Sequence, residues 1–282
     1  MKKKGLLLAS LVLLSACGGG GGGGASSSQP VSLYFTDDMS GYSSVVVKVY
    51  EVNLCSDNQC QQKVRLYLNS QGLSIDLAKL NGVLHYINTT NVPQGTYNRL
   101  EVVLDKNLTI TDPQGQNHQA VFAPMDEKPN KPNTVQCPTQ NQCYIRFNGI
   151  VQPFAMGKMA VDFVLKEFEV NTSKNPWEVY EVKMKPLTPS ELSQYSYYKL
   201  YGTVQSVNTQ NNSFTISWRG NTYTVSVNQN TSCEFNNQEL QGAACMSYIQ
   251  TNMCVEVKTS SDPSTNTTLN AVKIEKEDEC GG

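Results

Sequence analysis

Hydrophobic and polar residues alternate along most of the chain beyond residue 30, which is the pattern of half-buried β-strands. In the segment 63–68, for example, Val64, Leu66 and Leu68 fall on one side, and Lys63, Arg65 and Tyr67 fall on the other. Between residues 30 and 187 we expect strands at 31–35, 45–54, 63–68, 99–104, 108–111, 144–147, 161–165 and 177–184. Because one sheet of this kind would leave an apolar face in water, the pattern predicts a two-sheet β-sandwich of immunoglobulin or transthyretin type.

A second region begins after a connection bounded by Pro186 and Pro189. Strand patterns recur at 200–207, 214–218, 223–227, 255–258 and 269–274, and a segment of helical character lies between them at 239–250. Three strands, a short helix and two strands predict a small Greek-key barrel of the oligonucleotide/oligosaccharide-binding type. The chain is therefore expected to be all-β, with a sandwich at 30–187, a linker at 188–197, and a barrel with an acidic tail at 198–282.

The first residues have the layout of an export signal. Three lysines, an apolar run and two small residues lead to Cys17, so residues 1–16 are expected to be a signal peptide. The sequence Leu14-Ser15-Ala16-Cys17 resembles the lipobox of bacterial lipoproteins. That resemblance implies cleavage before Cys17 and lipidation of its sulfur and new amino terminus. Multiple acyl chains of this kind give stable membrane anchoring.

Residues 17–29 are expected to form a tether between the anchor and the folded part. The run of glycines and serines is flexible, with an end-to-end distance of roughly 20 Å. In well-studied diderm bacteria, an aspartate directly after the lipidated cysteine resembles an inner-membrane retention signal. Gly18 occupies that position here, so the outer membrane is the expected location. The membrane is thus the first expected partner, reached through the lipid anchor.

Nine cysteines are present, and eight remain once Cys17 is assigned to the anchor. An even number in an oxidising compartment predicts disulfides. Two close pairs, Cys55–Cys60 and Cys137–Cys143, are favoured as small loop staples. The pairing among Cys233, Cys245, Cys254 and Cys280 stays open. A zinc site is the alternative, but no C-x₂-C spacing with a histidine partner is present.

Charge and motif content exclude several classes of function. The net charge is −2 with only 16% charged residues, and no basic block is present, so nucleic acid is not an expected partner. The chain contains two histidines and no nucleophile elbow, phosphate loop or zinc-protease motif. We expect no cofactor and no catalytic residue. His85 lies in an apolar run and is expected to be a hydrogen-bonded packing residue.

Carboxylates and aromatics are the remaining candidate contacts. Asp37 and Asp38 follow a predicted strand and could ligate calcium, although a backbone-capping role is the simpler interpretation for Asp37. Tyr195, Tyr197 and Trp218 fall near the junction with the barrel, where aromatic faces could stack on sugars, although core packing is the simpler interpretation.

Two family resemblances cover most of the chain. Residues 33–37, 45–49, 75–77 and 92–97 resemble an uncharacterised bacterial lipoprotein family, domain of unknown function 4382, over about residues 30–187. Residues 202–204, 214–216, 255–257 and 271–274 resemble a second exported family, domain of unknown function 5666, over about 198–280. Both resemblances imply export and β architecture, and neither implies an activity.

The sequence therefore predicts a lipid-anchored cell-envelope protein that acts as a non-catalytic binding or structural module. Its ligand is unknown, and the expected partner is a glycan or another envelope protein; the oligomeric state stays open. One alternative is an envelope or extracellular glycan hydrolase that uses paired carboxylates such as Asp37 and Asp162. A second alternative is a surface adhesin that binds glycans through a cluster of tyrosines at the junction. The cluster consists of Tyr195, Tyr197, Tyr198 and Tyr201, beside Trp218 and Tyr223 of the barrel.

Overall fold

The computed structural model describes residues 27–37, 41–124, 135–235, 238–277 and 280. The fold is all-β, with a β-sandwich followed by a small closed barrel, as the alternation predicted. The predicted signal peptide, Cys17, most of the tether and Asp38 lie outside the described residues. No helix in the described part of the chain is long and apolar enough to cross a membrane.

Within the described residues, twelve strands precede the linker. They are β1 (Ser28–Thr36), β2 (Ser44–Cys55), β3 (Lys63–Asp76), β4 (Leu84–Pro93), β5 (Tyr97–Asp105), β6 (Asn107–Thr111), β7 (Asn117–Phe122), β8 (Gln142–Val151), β9 (Lys158–Phe163), β10 (Glu169–Asn171), β11 (Trp177–Glu181) and β12 (Met184–Pro186). Short 3₁₀ helices occur at Leu77–Leu80 and Leu165–Glu167, and one short α-helix, α1 (Pro189–Leu192), lies in the linker. Thr188 caps α1 through a capping box with Glu191.

Seven strands follow the linker. They are β13 (Tyr198–Asn208), β14 (Ser213–Trp218), β15 (Asn221–Ser226), β16 (Ser232–Phe235), β17 (Gln238–Gln241), β18 (Cys254–Thr259) and β19 (Thr268–Glu277). Five of these strands form a closed ring. Neighbouring strands pair in the order β13-β14-β15-β19-β18, and β18 pairs with β13 to close the ring. The pairing of β15 with β19 is parallel, and the other four pairings are antiparallel. β16 and β17 extend the sheet from β19.

The sandwich has two sheets with a shared core. One sheet has eight strands in the order β10-β11-β7-β6-β2-β5-β8, with β3 also paired to β2. The other contains β12-β9-β1-β4 and then continues into the barrel, because β4 pairs in parallel with β13. The large buried side chains Phe35, Phe122 and Phe163 are almost completely excluded from solvent. The sandwich and the barrel are therefore joined by backbone hydrogen bonds as well as by the linker.

His85 lies at this junction, opposite Lys199 of β13. It is fully buried, and its ring centroid is 4.8 Å from that of Tyr201. Burial and the nearby positive charges of Lys199 and Arg219 lower the pKa of His85 to about 3. The packing role that we expected is present, but neither ring nitrogen has a hydrogen-bond partner among the described residues.

The helical segment expected at 239–250 is present as a 3₁₀ helix, Gly242–Ser247, although the first residues of that range belong to β17. Gly242 has a φ of 61°, which ends the strand and is easily adopted only by glycine. Three strands of the sandwich, β4, β7 and β10, were not predicted, and neither was β16 of the barrel region. The predicted strand 177–184 is divided into β11 and β12.

Candidate ligand-binding pocket

A cavity of about 490 Å³ opens where the sandwich meets the barrel. It is lined by residues from three segments that are far apart in sequence. The segments are the middle of β4, the turn from β14 into β15, and the loop between β18 and β19. Pockets that bind small ligands commonly have volumes of roughly 300–1,000 Å³, so the size suits a small ligand.

Two tyrosines form the buried part of the lining. Tyr86 is 4% exposed and Tyr223 is 3% exposed. The Tyr86 hydroxyl is 3.0 Å from the hydroxyl of Thr89, which is in turn 2.9 Å from that of Ser32. Burial and the neighbouring Tyr86 hydroxyl raise the pKa of Tyr223, so the phenol stays neutral at physiological pH.

The rest of the described lining is uncharged and, apart from Gly220 and Pro263, has polar side chains. Three asparagines supply amides, and four threonines and a serine supply hydroxyls. These residues are Asn88, Asn221, Asn266, Thr89, Thr222, Thr265, Thr267 and Ser264. None of the described residues that line this cavity is an Asp, Glu, Lys, Arg or His.

The loop that forms one wall is held by Asp262. The Asp262 Oδ1 atom accepts hydrogen bonds from the backbone N–H of Ser264 at 2.9 Å and from its hydroxyl at 2.8 Å. The Asp262 carbonyl accepts from the backbone N–H groups of Thr265 and Asn266 at 3.2 and 3.0 Å. This is the aspartate-initiated turn that short polar side chains favour, and it fixes the backbone of the wall.

The same carboxylate ties the loop to the sandwich. The Tyr34 hydroxyl donates to Asp262 Oδ1 at 2.6 Å, and Lys158 forms an ion pair with Oδ2. Burial opposes ionisation of Asp262, but the hydrogen bonds from Lys158 and Tyr34 outweigh it and lower the carboxyl's pKa. A barrel loop is thus anchored by residues of β1 and β9, and the pocket wall is positioned by both parts of the protein.

The carboxylates that the sequence suggested lie elsewhere. Asp37 is 2% exposed, and its Oδ1 accepts the backbone N–H of Leu165 at 3.0 Å. This is the backbone-acceptor role we expected, although the donor is in the distant segment after β9 instead of the following turn. Asp162 is 4% exposed and lies 3.8 Å from Lys185 Nζ. Neither carboxylate lines the cavity.

The three aromatic candidates do not come together in this pocket. Tyr195 accepts a hydrogen bond from the Thr36 hydroxyl at 3.3 Å. Tyr197 is 40% exposed, and Lys258 Nζ lies 4.9 Å from its ring centroid. Trp218 is only 4% exposed and lines a separate cavity of about 450 Å³ beside Arg219.

Among the described residues, no group of three or more histidine, cysteine, aspartate or glutamate side chains could hold a metal ion. Asp38, which belonged to the calcium hypothesis, lies outside the described residues.

Eight cysteines form four disulfides. Cys55–Cys60 and Cys137–Cys143 are the two loop staples that we favoured from the sequence. The pairing that had remained open is Cys233–Cys245 and Cys254–Cys280. Cys254–Cys280 ties the start of β18 to the end of the chain, and Cys233–Cys245 ties β16 to the 3₁₀ helix after β17.

Sequence reasoning named Tyr223 among the junction aromatics but did not single out the asparagines, threonines and serine of the pocket. Asparagine and threonine are abundant in this chain, and those of the pocket lie in turns and loops where such residues are common for local reasons. These residues come together because β4 pairs with β13, which brings β4 close to the barrel loops. No local pattern in the sequence signals that pairing.

Comparison with known proteins identifies one family. The sequence profile of domain of unknown function 4382 (DUF4382) matches residues 29–186, which is more than half of the chain. This range coincides closely with the β-sandwich, and it includes β4 and Lys158 but not the barrel loops of the pocket. No curated protein and no solved structure is detectably similar to the chain.

Proposed function

The chain belongs to the DUF4382 family, which has no assigned activity, and we propose that it is an exported, lipid-anchored protein of the bacterial cell envelope. It acts there as a non-catalytic binding module. Cys17 anchors the chain in the membrane, the glycine-rich segment sets its distance from the lipid, and the β domains carry the binding surface.

The observation that carries the proposal is the division of the cysteines. Eight of the nine are paired in four disulfides, and the one left over is Cys17, in the lipobox-like segment. Stable disulfides of this number are rare in reducing compartments and common in exported proteins. A lipidated Cys17 would not be available to exchange with them. The same residues thus support export and anchoring together.

Binding without catalysis is supported by the pocket. Its described lining has no carboxylate, histidine or cysteine, and in the part of the chain that the structure describes no such side chain lines the pocket beside its serine, threonines and tyrosines to activate them. The hydrolase alternative needs two carboxyl groups in one cleft. Asp37 and Asp162 are instead buried beneath the surface, and they support that alternative less well.

Two finer assignments belong to the same proposal. We place the anchor in the outer membrane because Gly18 follows the lipidated cysteine where an aspartate would resemble a retention signal. We also assign the barrel to the second exported family, domain of unknown function 5666, on the residues that resemble it.

Cys17→Ser tests the anchor directly. The full chain and the variant are expressed in a diderm bacterium fed an alkyne-labelled fatty acid, and the membranes are separated by density. We expect the parent chain to carry the label and to fractionate with the outer membrane. The variant is expected to lose the label and to remain unprocessed or soluble, because no thiol is available for acylation.

Ser26→Ala is the matched control, because it changes a residue of the glycine- and serine-rich segment without touching the lipobox. It should retain both the label and the membrane location. A Cys17→Ser chain that is still labelled, or that still reaches the membrane as the mature species, would contradict the proposal.

A further inference from the structure

The pocket at the junction of sandwich and barrel has a lining that selects for one class of ligand. Its described lining residues offer amide and hydroxyl groups that can both donate and accept hydrogen bonds, together with two phenols. A ligand with many neutral hydroxyl groups could satisfy such a surface from several directions. A ligand with only donors or only acceptors would leave part of the lining unpaired.

The absence of charge along the described lining argues against ionic ligands. A phosphate, carboxylate or ammonium group that entered this cavity would lose its hydration and meet no opposite charge. Asp262, which precedes the lining residue Pro263, is already paired with Lys158. Nucleotides, acidic peptides and acidic sugars are therefore poor candidates.

The pocket is also rigid enough to select its ligand. Asp262 fixes the loop through hydrogen bonds to Ser264, Thr265 and Asn266, and Tyr34 and Lys158 hold Asp262 from the sandwich side. The turn that provides Asn221 and Thr222 is a tight hairpin between β14 and β15, with Gly220 at a φ of 78°. Prepositioned groups of this kind avoid much of the entropic cost of binding.

We propose that this cavity is a binding site for a neutral saccharide, such as a short uncharged segment of an envelope or extracellular glycan. The inference rests on the proposed function, since it specifies the ligand class of that binding module. Tyr86 and Tyr223 provide the apolar surface and neutral hydroxyls at the buried end, and the asparagines and threonines contact sugar hydroxyls at the open end.

The experiment uses a chain that needs no lipid anchor, so that its outcome is independent of Cys17. The chain is secreted behind a signal peptide that lacks a lipobox, so the mature protein starts at Gly18 and carries the whole described fold. Four neutral disaccharides, maltose, cellobiose, lactose and N,N′-diacetylchitobiose, are titrated by calorimetry and by saturation-transfer NMR up to about 10 mM. A hyaluronan disaccharide serves as the anionic comparison.

We expect at least one neutral disaccharide to bind, and to bind at least about tenfold more tightly than the anionic one. Thr222→Trp places a bulky side chain on an exposed lining residue and should weaken that binding by at least about tenfold. Asn221→Ala, which removes one amide, should weaken it by roughly three- to tenfold. Thr209→Trp is the matched control, because Thr209 is an exposed threonine in another barrel hairpin and does not line the cavity.

Failure of all four neutral disaccharides to bind would overturn the assignment. So would equal binding of the anionic disaccharide, or full binding by Thr222→Trp. Each of these three results would leave the anchoring proposal intact, because the labelled-lipid experiment tests that separately.

Discussion

A buried ion pair in the barrel, close to its junction with the sandwich, allows a quantitative test of the fold. Lys199 Nζ lies 2.8 Å from Glu256 Oε1, and both side chains are more than nine-tenths buried. Lys199 also donates to the backbone carbonyl of Lys79, in the sandwich, at 3.1 Å. The perturbation is Lys199→Met, which keeps the apolar stem and removes the positive charge.

Two contributions set the expected loss of stability. The carbonyl of Lys79 loses a charged donor, which costs about 1–3 kcal/mol at any pH. Burial raises the pKa of Glu256 to about 7 from its usual 4.5, even though Lys199 opposes that shift. Without Lys199 the Glu256 pKa rises further, so at pH 8 the carboxyl is protonated in the folded variant but mostly ionised in the folded parent. Because pH 8 is one unit above the parent pKa of about 7, this difference costs the variant about 1.4 kcal/mol more than the parent.

The sign of the pH dependence follows from the raised pKa. The stability that Glu256 contributes as a protonated group is fully present below about pH 4.5, the unfolded pKa, and is lost as the pH rises through about 7. At about pH 5 the carboxyl is protonated in the folded parent and in the folded variant, so the second contribution disappears. Lys199→Met should therefore lose about 2–4 kcal/mol at pH 8 and about 1–3 kcal/mol at pH 5.

Urea denaturation with the disulfides intact, followed by tryptophan fluorescence, measures the free energy of unfolding at both pH values. Lys183→Met is the matched control, because its pair with Glu167 is 2.6 Å long but both side chains are 44% exposed. Such a surface pair contributes less than about 1 kcal/mol. The reasoning is refuted if Lys199→Met costs no more than Lys183→Met, or if its cost is not larger at pH 8 than at pH 5.

Two further substitutions test the packing and the cross-links of the barrel. Gly202→Ala would place a Cβ atom 2.8 Å from the Ile216 side chain, so chemical denaturation should show that the free energy of unfolding falls by about 1–3 kcal/mol. Gly41→Ala is the control: Gly41 has open space around it, and the loss there should be less than about 0.5 kcal/mol. Equal stability of the two variants would contradict the close packing of β13 on β14. Replacing both Cys254 and Cys280 by alanine opens a loop with a sequence separation of 26 and should lower the free energy of unfolding by about 3 kcal/mol. An unchanged urea midpoint would show that this cross-link contributes nothing to stability.

The two-part all-β fold could be predicted because alternation directly reports half-buried strands. The pairs β2 with β5 and β14 with β15 come from segments with clear alternation. β4 was missed because its first half is almost wholly buried, from Leu84 to Ile87, and therefore does not alternate. The helix expected within 239–250 is confined to Gly242–Ser247, because β17 occupies the start of that segment and Gly242 ends the strand.

The site was harder to predict than the fold. Asp37 and Trp218 attracted attention by residue type, yet both are buried, and the fold uses Asp37 to accept a backbone hydrogen bond. The pocket depends on the register of β4 against β13 and on the bond from Tyr34 to Asp262, which spans 228 residues. No local pattern encodes contacts of that separation. The disulfide pairing was partly accessible, because the two short loops allowed obvious partners while the four late cysteines did not.

The central claim is that the mature protein begins at an acylated Cys17 and carries four disulfides. Intact-mass spectrometry of the protein extracted from bacterial membranes, before and after thiol alkylation under denaturing conditions, measures both features at once. The account predicts a chain that lacks residues 1–16, carries the added mass of acyl groups, and takes up no alkylating reagent until it is reduced. A full-length, unacylated polypeptide from the soluble fraction, with its cysteines free to react, would contradict it.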